Sequence, residues 1–379
     1  MAPLLTSRLT PLLTLAKIFG LNSSHSSTRS NKYLVLYSLA LVVVYLTIFT
    51  LRILTSEREQ IYTLNRVVTN LHLICYIAIF FSDILSNWIN SKSYCRALVR
   101  LEILDYQLRT VGYYPDCDKT RKMFYVSVTA ASGLFLYVAI FDCLIDVFQT
   151  GEKIDFFFWL SIYLPITINY FSIFVIVFTF FLLNEKYKCL EHLLNNISTR
   201  KLHTNVEQFT NFYLELTHIS NSLVSQFSLQ LSATFLFIFI SITTNMYMVL
   251  KINLDLSQYI LIFNFVLIHL GELVAVVLVS HWTTLRAENI VTASPKLLTS
   301  ISDSKTSFRK HLQAYFLMTE NRLEARIFGM FCLEPSTLLS LTVATVSYLI
   351  ILIQFTEPGS SKGSFIRGQL GTGISMKTK

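Results

Sequence analysis

From residue 156 to residue 184 the chain carries no Lys, Arg, Asp or Glu, and this apolar run is one of seven. We place the seven at about 33–53, 67–88, 123–148, 157–183, 226–250, 258–282 and 335–355. A helix rises about 1.5 Å per residue, so some twenty apolar residues match the roughly 30 Å hydrocarbon core of a bilayer. With no water at that depth, a helix is the one segment that satisfies its own backbone hydrogen bonds. The runs therefore predict an all-α membrane protein with seven transmembrane helices. Composition agrees: 53% of residues are hydrophobic and 14% charged, where a soluble domain carries about 25% charged residues.

Charge placement predicts the orientation. Of the 31 Lys and Arg, 22 fall in the N-terminal segment and in the long connections after spans two, four and six. Lys- and Arg-rich loops stay in the cytoplasm, which puts the N-terminus inside and the C-terminus outside. A G-protein-coupled receptor has the opposite orientation. The net charge of +8 is then explained by attraction to the anionic inner leaflet, and nucleic acid is not an expected partner. The stretch "PLLTLAKIFGL" reads as an amphipathic helix lying on the membrane rather than a cleaved signal. The sequons at Asn22 and Asn196 fall on the inner side and should be unmodified. "HLQAYFLMTENRLEARIF" reads as a helix offering Leu312, Tyr315, Phe316, Leu323 and Phe328 for packing, either in a cytosolic bundle or on the membrane surface.

Ionisable and aromatic residues inside spans are the candidates for function, because their burial in lipid is costly. Asp142 and Asp146 lie one turn apart in span three, His269 and Glu272 are three residues apart in span six, and Asp83 sits in span two. Span four adds Trp159, Tyr163, Asn169 and Tyr170, and span five adds Asn245 and Tyr247. Aromatic rings with a few hydrogen-bonding groups suit a small-molecule pocket. The competing readings are a structural polar pair for His269 and Glu272, and interfacial placement for Asp146. A bridge between Cys75 and Cys143 is conceivable in the outer half; the six cysteines otherwise show no disulfide or zinc spacing.

In the last span Ser336, Ser340, Ala344, Ser347, Ile351 and Gln354 form one stripe at the helical period, opposite Leu338, Val346, Leu349 and Ile353. Such a stripe either lines a wet pore, with Ile351 as an apolar constriction, or lets two helices pack closely. Among enzyme motifs, no G-x-S-x-G, H-E-x-x-H, phosphate loop or CxxC pair occurs, so neither an enzyme nor a metal or cofactor is expected. There is no inverted repeat of the transporter kind, and of seven prolines only Pro165 lies inside a span.

The stretch "IFGMFCLEPSTLLSLTVATVSYLIILIQF" resembles the C-terminal signature of insect gustatory receptors, which is Thr-Tyr, five apolar residues and Gln-Phe. Tyr348, Gln354 and Phe355 match, and Ser347 replaces the threonine. The resemblance implies a ligand-gated cation channel, a homo- or heterotetramer of family members in the plasma membrane of gustatory or other chemosensory neurons. It implies a pore lined by the last helix, with sodium, potassium and calcium ions permeating. Gln354 and Phe355 then sit at the pore with Ser340, Ala344, Ser347 and Ile351. It also implies a pocket for a small tastant among the earlier helices. The chain divides accordingly into a cytoplasmic segment (1–32), six spans with the pocket (33–282), a cytoplasmic anchor region (283–334), a pore helix (335–355) and an extracellular glycine-rich tail (356–379). The sugar-sensing subfamily typically has an acidic residue after the signature tyrosine. Leu349 stands there, leaving fructose-type, bitter-type and orphan receptors; the aromatic candidates favour bitter or plant compounds. The tail is a departure, since family members usually end soon after Gln-Phe.

Overall fold

The structure, a computed structural model, describes residues 28–56, 63–111, 117–150, 156–196, 202–251, 256–299 and 305–356. The amphipathic N-terminal stretch and most of the tail lie outside them. Among the described residues eight helices follow one another: α1 (Thr28–Ser56), α2 (Thr63–Thr110), α3 (Cys117–Thr150), α4 (Phe156–Asn196), α5 (Leu202–Lys251), α6 (Leu256–Thr299), α7 (Lys305–Glu320) and α8 (Pro335–Thr356). Two short strands, β1 (Arg326–Ile327) and β2 (Phe331–Cys332), form an antiparallel hairpin between α7 and α8. Seven of these helices carry the seven apolar runs. α3, α4, α5, α6 and α8 each hold a stretch long and apolar enough to cross a membrane, and α1 holds a shorter one, Val35–Leu51.

α2, α4, α5 and α6 run for 48, 41, 50 and 44 residues, about 60–75 Å each and twice a bilayer's apolar thickness. Each continues unbroken from an apolar half into a half flanked by the Lys- and Arg-rich connections, here called the basic end. α5 is the central helix, touching α2, α4, α6, α7, α8 and β1, while α1 leans on α4 and α3 on α6 and α4.

The largest core lies at the basic end. Leu101, Leu104 and Leu108 of α2 recur at three and four residues, and so do Leu183, Tyr187 and Leu190 of α4. They meet Tyr213, Leu216 and Leu223 of α5, Ile290 of α6 and Met318 of α7, all nearly inaccessible. This is the apolar stripe of helices that pack in water, where burial itself drives association. Toward the other end the helices present exposed Leu, Val and Ile, as in α1 and α3. Lipid tails are as apolar as those side chains, so nothing there drives them inward.

Two local features follow from single residues. Pro165 sits inside α4 and has no N–H for the carbonyl of Ser161; the Tyr45 hydroxyl of α1 donates to that carbonyl at 3.3 Å. α7 ends at Glu320, earlier than the 311–328 helix expected from sequence; Asn321 follows its last turn, donating to Leu317 O through both its backbone N–H and its Nδ2. Phe328 (φ 50°) and Gly329 (φ 71°) then form a tight turn, closed by Met330 N donating to Ile327 O at 3.0 Å. Of the expected packing residues, Leu323 is buried, but Phe316 and Phe328 are exposed. Pro335, in the first turn of α8, needs no hydrogen-bond partner for its nitrogen.

Candidate functional site

Four of the candidate residues come together with rings that the sequence reading missed. Trp159 and Tyr163, one turn apart on α4, stack at 4.7 Å. Phe135 of α3 stacks on Tyr170 of α4 at 5.4 Å and meets Tyr163 edge-on at 6.3 Å. The Tyr163 hydroxyl donates to the carboxylate of Asp142, which ties α4 to α3. Phe135 and Asp142 are seven residues apart, so their shared face was available as a signal. Asp146 lies one turn further, but its side chain is outside the described set.

On α6 the expected pair forms: His269 Nδ1 lies 3.1 Å from Glu272 Oε2, with both side chains almost wholly buried. Phe265 and Phe237 face the imidazole edge-on at 4.9 and 5.0 Å, and Tyr76 of α2 continues the cluster against Phe237 at 5.4 Å. Phe265 precedes His269 by four residues, again one helical face. Tyr76, Phe237, Phe135 and Phe265 pack in one apolar cluster, which joins these rings to those on Tyr163 and Tyr170. Rings from α2, α3, α4, α5 and α6 thus form one aromatic cage with carboxylates in its wall. Three buried polar atoms in it have no hydrogen-bond partner: Trp159 Nε1, His269 Nε2 and Glu272 Oε1.

Asn169 and Asn245 belong elsewhere. Asn169 Nδ2 donates to Asp83 Oδ2 at 3.2 Å and to Thr234 Oγ1 at 3.0 Å, linking α2, α4 and α5. Asn245 Nδ2 donates to Ser241 Oγ of its own helix at 3.3 Å, and Tyr247 is buried. Asn169 has the geometry of a helix-packing residue. Cys75 and Cys143 are free thiols, so the bridge does not form. Among the described residues, no group of three His, Cys, Asp or Glu is placed to hold a metal ion.

α8 rests on α5 and α6, and its Leu338 and Leu341 pack against the apolar cluster that holds Tyr76, Phe135, Phe237 and Phe265. Leu338, Leu341, Thr345, Leu349 and Ile353 are its partly buried residues on that side; Val346, expected among them, is exposed at 51%. Half a turn round the helix, Ser336, Ser340, Ser347, Ile351 and Gln354 are exposed, with Ala344 half-buried. Tyr348 is half-exposed and meets Phe239 of α5 edge-on at 5.5 Å. The side chain of Phe355 is outside the described set. Ser340 and Ser347 donate to the carbonyls of Ser336 and Val343, at 3.0 and 2.8 Å. Their protons are used within the helix, which leaves hydroxyl oxygen lone pairs facing outward.

A family model described as "7tm Chemosensory receptor" matches residues 9–357. No curated protein matches the sequence. Among solved structures, the insect olfactory receptor OR5 from Machilis hrabei is similar in fold. In complex with eugenol it superposes with a TM-score of 0.72 at 13% identity, over 93% of this chain and 98% of that one. The same receptor described without eugenol gives 0.71 at 14% identity over the same shares.

Proposed function

The chain belongs to the seven-transmembrane chemosensory receptor family, a family of multi-pass membrane receptors and not of enzymes, and from that premise we propose that it is a taste receptor working as a ligand-gated, non-selective cation channel. Four copies place α8 around a central axis, and a small tastant of the bitter or plant-compound kind binds in the aromatic cage of each. The basic end lies in the cytoplasm, the C-terminus outside, and the receptor sits in the plasma membrane of a chemosensory neuron.

The observation that carries this reading is the direction of the polar stripe on α8. Three serines and a glutamine point away from the helix's own subunit, and lipid gives such groups no hydrogen bonds. Other copies of α8 around a water-filled axis would give them company. Outward lone pairs from Ser340 and Ser347 suit a hydrated cation, and the Gln354 amide near the outer end adds a neutral oxygen. A ring of Ile351 side chains is a ready hydrophobic constriction. The insect olfactory receptor OR5 holds eugenol, which agrees with an aromatic pocket for a small ligand.

The test is ligand-evoked current in cells expressing the chain alone and with other family members. Gln354→Ala should change the permeability ratio among sodium, potassium and calcium, and Gln354→Arg should abolish inward current while surface expression persists. Current indifferent to substitutions at 340, 347, 351 and 354 would remove the pore assignment.

A further inference from the structure

We propose that the ligand is cationic: an amphipathic organic ammonium ion, protonated or quaternary, seated in the aromatic cage with Glu272 as its counter-ion. This rests on the reading of the cage as the ligand pocket and adds the charge of what enters it.

The charge balance of the spans is the first support. Residues 74–91, 123–150, 156–184, 226–250 and 256–285 contain Asp83, Asp142, Asp146 and Glu272 but no Lys or Arg. A buried carboxylate without a cation is costly; these five segments supply no Lys or Arg, and the partner of Glu272 is His269, a cation only when protonated. The two buried carboxylates among the described residues each use one oxygen on a neighbour: Asp83 Oδ2 takes the Asn169 amide, and Glu272 Oε2 takes His269.

The second support is independent of the first. Glu272 is 7% exposed, yet its Oε1 has no partner, and on α2 Asp83 Oδ1 is likewise without one. An acceptor left unmet in a buried site costs stability unless a donor arrives, and an ammonium N–H or a polarised N–CH₃ is such a donor. The third support is the surrounding rings. Phe265 and Phe237 flank its histidine edge-on, and Phe135 packs in the same apolar cluster. Aromatic faces attract a cation through their quadrupole, most strongly where water is excluded. A neutral aromatic ligand would gain the ring contacts but leave Glu272 Oε1 unmet. An ammonium ion satisfies both.

The test uses the purified full chain in detergent and two probes of equal shape, trimethyl(2-phenylethyl)ammonium and its neutral isostere (3,3-dimethylbutyl)benzene. Binding is read by shift of the thermal unfolding midpoint and by Trp fluorescence. The ammonium should bind at least about tenfold more tightly. Glu272→Gln should bring the two probes within about twofold of each other, and Glu272→Asp should restore part of the preference. If Glu272→Gln does not fold, the comparison of probes on the unaltered protein still decides. Equal binding of the two probes, or binding of neither, overturns the proposal. So does stabilisation by sodium chloride that Glu272→Gln removes without any preference between probes, which would assign the carboxylate to inorganic cations. Currents separate this from the channel reading. Currents evoked by both probes without a binding preference keep the channel and remove the cationic ligand. A preference without current from any probe does the reverse.

Discussion

Lys186 of α4 shows how the basic end handles charge. It is 4% exposed, and its ammonium sits on Asp105 of α2, whose other oxygen takes Arg109 at 3.0 Å. Removing one member of a buried ion pair leaves the partner's charge uncompensated, which typically costs about 3–5 kcal/mol. Lys186→Met should therefore lower stability by about 3 kcal/mol, the low end because Arg109 stays on Asp105. Denaturant or thermal unfolding of the purified protein checks this, and Arg100→Met should cost far less. Arg100 pairs with Glu215 at 2.8 Å, but both side chains are about two-fifths exposed and water screens them. Lys186 was legible only as a basic residue after span four; its burial depends on α2 arriving with Asp105, 81 positions earlier. The cage shows the same division. Each of its carboxylates was visible as an ionisable group in an apolar run. Phe135, Phe237 and Phe265 were not, because a phenylalanine in lipid-facing sequence carries no mark of which ring it will meet.

At the scale of the element, α4 carries a proline in the middle of its span, and the break it makes is repaired from another helix. A proline removes an intrahelical donor, and here the Tyr45 hydroxyl of α1 reaches the carbonyl of Ser161 that the donor would have served. The prediction is one of coupling. Tyr45→Phe should cost about 1 kcal/mol alone, and almost nothing when Pro165 is already alanine and supplies its own N–H. A double-mutant cycle on thermal or denaturant unfolding measures the difference, and additive costs would show that the hydroxyl serves some other group. Pro165 was evident in the sequence, whereas its partner was not, since the two residues are far apart in the chain. The region after α7 failed for a different reason. An apolar period of three to four continues through Leu323 and Phe328, but the asparagine turn at 321 and the paired left-handed residues at 328 and 329 end the helix and make a hairpin. Local turn chemistry prevailed over periodicity there.

For the whole molecule, the partition of burial between the two ends decides what a mutation does. Leu101 of α2 is inaccessible in the basic-end core, while Val43 of α1 is 54% exposed on a surface suited to lipid. Leu101→Ala should cost about 3 kcal/mol by transfer and cavity terms together, and Val43→Ala should be nearly neutral in a bilayer or detergent, because lipid replaces what the side chain touched. Unfolding midpoints of the two variants in one detergent check the contrast; equal costs would mean that the exposed face of α1 is covered. The apolar runs, their length and the Lys and Arg around them determined by themselves a seven-helix membrane protein and its expected orientation. Those properties follow from transfer between water and lipid, which acts on each segment independently of its neighbours. The stripe on α8 was equally a property of one segment. Which way it points was decided by tertiary structure, since the same periodicity serves close packing inward or water outward. The cage, too, exists only after five helices meet, because hydrogen bonds and ring contacts between distant segments leave no periodic trace in any one of them.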